Sequence, residues 1–259
     1  MINLDNIRRS KDPRRIGLEG RVLVGHQAEF MPWLGNISKA SMGDIYLILD
    51  DSQYKKEYFE NRNKIRLKND QGWQWLTVPV GNKSHINNFQ DVEIINNIWK
   101  RKHLNSIKLS YSRCKYFNEV YSDFSDIINS YSGSSLSSLN VEIISFALRM
   151  FDINVPIYRT SIINKTSPLI LGQGTDLVIS MCEYFNANVF VAGPSGRSYL
   201  IAEEFEKKDI KLVFQEFSHP KYTQIHGSFL PYMSFLDLLF NHGKEEAIKI
   251  LSKSEYKDY

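Results

Sequence analysis

Two short, wholly apolar runs flanking one helix-sized segment constrain this chain most. Val22-Leu23-Val24 ends at Gly25, and Ile45-Tyr46-Leu47-Ile48-Leu49 ends at Asp50-Asp51. Runs this short, without polar alternation, predict strands buried on both faces. Between them, past a break at Pro32, Leu34, Ile37, Ser38 and Ser41 share one face of a helix. Strand, loop, helix, strand is the βαβ unit, whose strands run parallel. Ligands of such units gather beyond the carboxyl ends of the strands. His26-Gln27 and Asp50-Asp51 occupy those ends.

The same logic extends along the chain. Trp73 to Val80 reads as a strand stopped by Pro79 and Gly81. From Trp99 to Met150 the apolar residues fall at helical spacing, with a helix from Leu139 to Phe151 and a Ser-rich connection before it. After Pro156 the α/β character returns. A strand is predicted over Ile157 to Thr160, a helix N-capped by Thr175 and closed by Asn186, and a buried strand over Asn188 to Ala192. A helix over Arg197 to Phe205, a strand over Lys211 to Phe214 and two C-terminal helices broken at Gly243 follow. The fold class is therefore α/β, with Rossmann-like βαβ elements, a central helical segment and a helical C-terminus. Residues 1–20 form a basic extension, 21–98 an N-terminal α/β part, 99–155 the helical segment and 156–259 a C-terminal α/β part. These parts make one compact or two tightly packed domains.

Composition excludes several classes. At 259 residues the chain is long enough for a core that needs no staples. Lys and Arg number 32 against 29 Asp and Glu, a net charge of +3, too even for a dedicated nucleic-acid binder. Cys114 and Cys182 lie far apart without CxxC spacing, so they are expected as reduced thiols, with no zinc site. No run approaches the roughly 18 apolar residues of a membrane span, and no secretory h-region follows the first arginines, so a cytoplasmic protein is expected. Aromatic residues are abundant at 13%, which is either core or the lining of a cleft for a flat or sugar-like ligand.

Several local motifs carry possible chemistry. His26, after Gly25 at a strand end, can place an imidazole against a substrate. Asp50 and Asp51 can act as a base or hold Mg²⁺, or simply cap the next turn. In Asn61-Arg62-Asn63-Lys64-Ile65-Arg66 a strand would put Arg62, Lys64 and Arg66 on one side, suited to a diphosphate. Gly193-Pro194-Ser195-Gly196, followed by Tyr199, would form an anion-binding turn at a helix start or a tight turn needing positive φ. Ser218-His219-Pro220-Lys221-Tyr222 adds a loop histidine and a tyrosine. Ser234-x-x-Asp237 reads as a variant capping box.

Taken in order, these segments resemble the WbqC-like family. The resemblance rests on His26-Gln27, Pro32-Trp33-Leu34-Gly35, Asp44, Leu49-Asp50-Asp51, Gln53-Tyr54, Asn61-Arg62-Asn63 and Trp75 to Val80. It continues through Gly193-x-Ser195-Gly196, Tyr199-Leu200, His219-Pro220-x-Tyr222, Phe229-x-Pro231, Ser234 and Asp237 to Gly243. The chain departs at Ala28-Glu29, where the family pattern has a proline after Gln27, and at Ser52, where it tends to have valine.

The resemblance implies an accessory enzyme of bacterial O-antigen (lipopolysaccharide) and related polysaccharide synthesis. The implied substrate is a nucleotide-linked amino sugar, acquiring an acyl or aminoacyl group, such as glycyl, on its amine. Catalytic candidates are His26, Asp50, Asp51 and His219. Substrate-binding candidates are Gln27, Trp33, Gln53, Tyr54, Asn61, Arg62, Asn63, Lys64, Trp75, Gly193, Ser195, Gly196, Tyr199 and Tyr222. Neither cysteine lies in a matched motif, which favours direct attack of the amine on an activated donor. An aminoacyl-tRNA is compatible as that donor. ATP with Mg²⁺ would make the protein an amide ligase, and a non-catalytic sugar-nucleotide-binding protein is the third reading. No resident metal or cofactor is implied.

Overall fold

The structure is a computed structural model that describes residues 7, 18–81, 88–165 and 170–253. The basic extension expected over residues 1–20 falls almost entirely outside these.

Five parallel strands form the central sheet: β1 (Val22–His26), β2 (Ile45–Ile48), β5 (Ile157–Arg159), β6 (Val189–Ala192) and β7 (Lys211–Phe214). Their order is β5-β2-β1-β6-β7. The chain begins at the centre, steps outward through β2 to β5, then crosses β1 to build β6 and β7. The winding direction therefore reverses between β1 and β6, where open α/β sheets leave a crevice at their carboxyl ends.

The apolar runs sort by residue parity, as a pleated strand requires. Val22, Val24, Tyr46, Ile48, Val189 and Val191 face one core, shared with the helices α1 (Leu34–Met42), α4 (Leu136–Met150) and α8 (Phe235–Ser252). Leu23, Ile45, Leu47, Phe190 and Ala192 face a second core, filled by Val178, Met181, Cys182 and Phe185 of α6 (Gly174–Phe185). Burial of a Leu or Phe side chain stabilises by about 1.5–3 kcal/mol, so both faces contribute. Cys114 and Cys182 are free thiols.

Between β2 and β5 the chain inserts an antiparallel hairpin, β3 (Arg62–Arg66) with β4 (Trp73–Thr77), and then α2 (Ile98–Tyr111), α3 (Phe117–Ser130) and α4. Ser135 Oγ accepts from Ser138 N–H at 3.2 Å, so α4 starts at Leu136, inside the expected connection. Leu109 and Ile98 belong to α2 but are 83% and 58% exposed, so only part of its apolar set faces the core.

Two local expectations are corrected. Thr175 is not an N-cap; it lies in the first turn of α6, after Gln173. Its hydroxyl donates to Tyr199 O (3.4 Å) and accepts from Ile201 N–H (3.1 Å). Those bonds divert backbone groups that a helix over Arg197 to Phe205 would use. The chain instead makes a 3-10 helix, Pro194–Ser198, and a short helix α7 (Ala202–Glu206). The C-terminal helix α8 is broken at Gly243, φ 71°, as expected. Asn186 closes α6 in the left-handed region, φ 48°. Among the described residues no helix is long and apolar enough to cross a membrane.

Candidate functional site

The carboxyl end of β1 and helix α1 bring together a buried polar cluster built from one short stretch of sequence. His26 ends β1, Glu29 lies in the following loop, and Asn36 and Lys39 stand one turn apart on α1. His26 Nδ1 bonds Gln27 O at 2.8 Å and lies 3.2 Å from Asn36 Nδ2. With Nδ1–H donating to that carbonyl, Nε2 keeps its lone pair, 3.9 Å from Glu29 Oε1. Lys39 Nζ donates to Gly25 O at 3.0 Å, and Tyr46 Oη donates to Asn36 Oδ1 at 2.7 Å. The His26 side chain is 31% exposed, against 6% for Glu29, so the imidazole is the more accessible of the two.

The charge states follow from this burial. Desolvation, reinforced by the Lys39 cation, holds His26 well below the usual 6.5 and keeps it neutral. Burial raises Glu29 to about 7, against the pull of nearby Asn36, Lys39 and Trp33. Burial lowers Lys39 to about 8, with Glu29 opposing. Glu29 Oε2 is buried and has no hydrogen-bond partner. An acid near 7 with an unused oxygen beside a neutral imidazole is equipped to take or give a proton at neutral pH.

At the carboxyl end of β2, Gln27 Nε2 donates to Ser52 Oγ (2.9 Å) and reaches Gln53 O (3.5 Å). The neighbouring carboxylates are engaged in structure. Asp50 is fully buried; its Oδ2 accepts from Arg159, Ser137 and Ser161, and its Oδ1 from Ser161 N–H. Asp51 accepts from Thr160 Oγ1 at 2.6 Å and Asn164 Nδ2 at 2.8 Å. Together they anchor the helical turn α5 (Thr160–Ile163) beyond β5. No group of three or more potential metal ligands among His, Cys, Asp and Glu occurs among the described residues.

Trp33 caps α1 and starts an aromatic wall. Its ring lies 5.3 Å from Phe217, 6.5 Å from His219 and 5.2 Å from Tyr232, centroid to centroid. His219 continues the stack to Tyr222 at 6.3 Å. Its Nδ1 contacts Pro220 O at 3.0 Å, while Nε2 is buried without a partner. Tyr222 Oη, Gln224 Nε2 and Tyr111 Oη all donate to Asp237, each at 2.8 Å. Asp237 is thus the acceptor of a buried network and not the acid of a capping box. Ser234, the N-cap, bonds Leu236 N–H.

The hairpin supplies a cationic, aromatic face. Arg62 lies 4.3 Å over Trp75, and Lys64 Nζ lies 4.5 Å over Trp73 and 5.0 Å over Trp75. It is tied to the site loop, since Asn63 Nδ2 donates to Met31 O (2.6 Å) and Lys64 O accepts from Ser234 N–H (2.9 Å). Arg66 does not join Arg62 and Lys64, contrary to strand alternation. It is 2% exposed, and its guanidinium donates to the carbonyls of His226 and Ser228. Asn61 is turned inward to Val78 O, and Tyr54 is buried against Phe89.

The turn after β6 is also altered. Gly193 and Gly196 both have ordinary negative φ, so neither is there for left-handed geometry. A Cβ on Gly196 would come within 3.1 Å of Ala192, Leu200 and Phe214, a close approach that favours glycine. The five-residue 3-10 helix that follows is too short for a strong dipole. Ser195 uses its carbonyl to accept from Ser198 Oγ, and Tyr199 is 55% exposed.

Sequence reasoning overlooked Glu29, Asn36, Lys39, Tyr46 and Arg159. One signal was available: Lys39 is the only charged residue between Phe30 and Gly43. A helix without a polar face is buried all round, and its lone cation must find partners inside.

A family model described as the WbqC-like protein family matches residues 27–249. An uncharacterized protein of Mycobacterium tuberculosis, Rv1507c, is 30% identical over 221 residues, spanning 85% of this chain and 93% of that protein. No solved structure matches the chain.

Proposed function

The chain belongs to the WbqC-like protein family, and from that premise we propose that it acylates the amine of a nucleotide-linked amino sugar in surface-polysaccharide synthesis. The group transferred is an acyl or aminoacyl group, such as glycyl. Glu29 Oε2 is the observation that carries this reading: a buried, unpartnered carboxyl oxygen beside the neutral ring of His26. A substrate ammonium is its chemical complement.

Glu29, near 7, takes one proton from the ammonium, a role for which its pKa is better placed than that of His26. His26 accepts a second N–H and orients the amine. The free amine attacks the carbonyl carbon of the donor; as the new C–N bond forms and the bond to the leaving group breaks, Glu29 gives that group its proton and, again a carboxylate, takes the second proton from the new amide nitrogen and releases it to solvent. Arg62 and Lys64 hold the diphosphate, and Trp75 and Trp33 offer faces to the base and sugar. A nucleotide-linked substrate places this reaction in the cytoplasm.

The reversal of strand order beside a histidine favours one variant: ATP activates a free carboxylate, and the same amine then forms the amide. Purified protein is incubated with nucleotide-linked amino sugars and activated acyl or aminoacyl donors, with and without ATP, and the sugar is followed by mass spectrometry. A mass-shifted sugar absent with Glu29→Gln supports the proposal. ATP-dependent product with release of AMP and pyrophosphate selects the ligase variant. No shifted sugar across the panel overturns both.

A further inference from the structure

We propose that a second ligand site, for a phosphorylated small molecule, lies between α2 and the β3–β4 turn. It does not depend on the acylation reading. A cavity of about 690 Å³ opens there, within the size range of small-molecule sites. Its lining includes Lys68, Lys108 and Arg113 and no carboxylate. Among the described residues, none of these three cations pairs with an acid. Surface cations usually sit among charges of both signs, so three convergent ones without a counter-ion favour an anion of high charge.

A fourth positive charge stands behind the wall. Arg66 is 2% exposed, and its carbonyl accepts from Ser110 Oγ while its guanidinium donates to His226 O. Ser110 and His226 both line the cavity. Arg66 Nε and Nη1 have no hydrogen-bond partner, yet a guanidinium does not deprotonate. The carboxylate that feels its field, Asp237, already has its oxygens taken by Tyr111, Tyr222 and Gln224. Arg66 thus adds a buried cation with two unused donors behind the cavity wall.

The lining also holds Leu67 and Leu109, and Leu109 is 83% exposed. A phosphate or diphosphate with an organic body matches both parts: the charged end to the cations, the body to the leucines. The body belongs either to a soluble metabolite or to a lipid.

Calorimetry with inorganic pyrophosphate tests the charged end. The measurement is made on the Arg62→Ala/Lys64→Ala variant, which removes the diphosphate site proposed on the hairpin; saturable binding is expected to remain and to weaken about tenfold or more on adding Lys108→Glu with Arg113→Glu. Lys68→Ala alone gives a milder loss and guards against misfolding of the double variant. Flotation with phosphatidylcholine vesicles containing phosphatidate identifies the source. Capture that depends on Lys108 and Arg113 supports a lipid phosphate; pyrophosphate binding without capture supports a soluble one. Absence of both in the Arg62→Ala/Lys64→Ala background, or binding that Lys108→Glu with Arg113→Glu does not weaken, overturns the proposal. Because Arg62 and Lys64 lie on the hairpin face assigned to the sugar nucleotide, failure here and failure of the acylation reading are separable.

Discussion

His26 Nε2 lies 3.9 Å from Glu29 Oε1, a neutral ring beside a carboxyl that burial holds near pH 7. The position of Glu29 has a cost in stability with a defined sign. Its folded pKa, about 7, is above the usual 4.5, so the stability linked to its proton is fully present below about 4.5. That stability is lost as pH rises through 7. Glu29→Gln removes the titration. The variant is expected to gain roughly 1–3 kcal/mol over the parent at pH 8 and little at pH 4.5. Urea unfolding at both values checks this; an equal difference at the two pH values refutes it.

Asp50 and Arg159 pair inside the protein at 2.6 Å, with the Asp50 side chain at 0% exposure. Removing one partner strands the other charge. Arg159→Ala is expected to lose about 3 kcal/mol, and adding Asp50→Asn to recover part of that loss. Double-mutant unfolding measurements read the coupling directly. If Arg159→Ala unfolds like the parent, the pair does not hold β5 and α5 in place.

Asp237 joins α8 to α2 through Tyr111 and to the 222–224 segment through Tyr222 and Gln224. Tyr111→Phe and Tyr222→Phe each leave a buried carboxylate oxygen short of a donor. Each is expected to cost about 1–2 kcal/mol, and the double variant more than the sum, since the carboxylate then retains only Gln224. Thermal unfolding of the three variants decides; strict additivity argues against a shared network.

Strands β1, β2 and β6 were legible because each is built on a short continuous apolar run, the pattern of a strand buried on both faces. His26 at a strand end was legible for the same local reason. Arg66 was not. Alternation grouped it with Arg62 and Lys64, but carbonyls at His226 and Ser228, about 160 residues further on, draw it inward. Tyr199 and Ile201 were misread as helix because the competing hydroxyl of Thr175 is more than twenty residues away. Glu29 was invisible as an acid near 7 because the shift comes from burial by the whole loop, which no spacing reveals. What sequence missed is where long-range partners override a local pattern.

The stacking of Arg62 on Trp75 at 4.3 Å makes the hairpin face testable without knowing the reaction. Trp75 is half-buried and Arg62 partly exposed, so changing either spares the core. If this face holds the nucleotide end of the substrate, Trp75→Ala should weaken uridine diphosphate binding about tenfold, with little change in melting temperature. Arg62→Lys keeps the charge but loses the planar stack and the forked donor geometry, and should weaken it several-fold as well. A charge-only role would leave Arg62→Lys at parental affinity. Calorimetric titration reads both variants, and unchanged affinity in both would remove the hairpin from the substrate site.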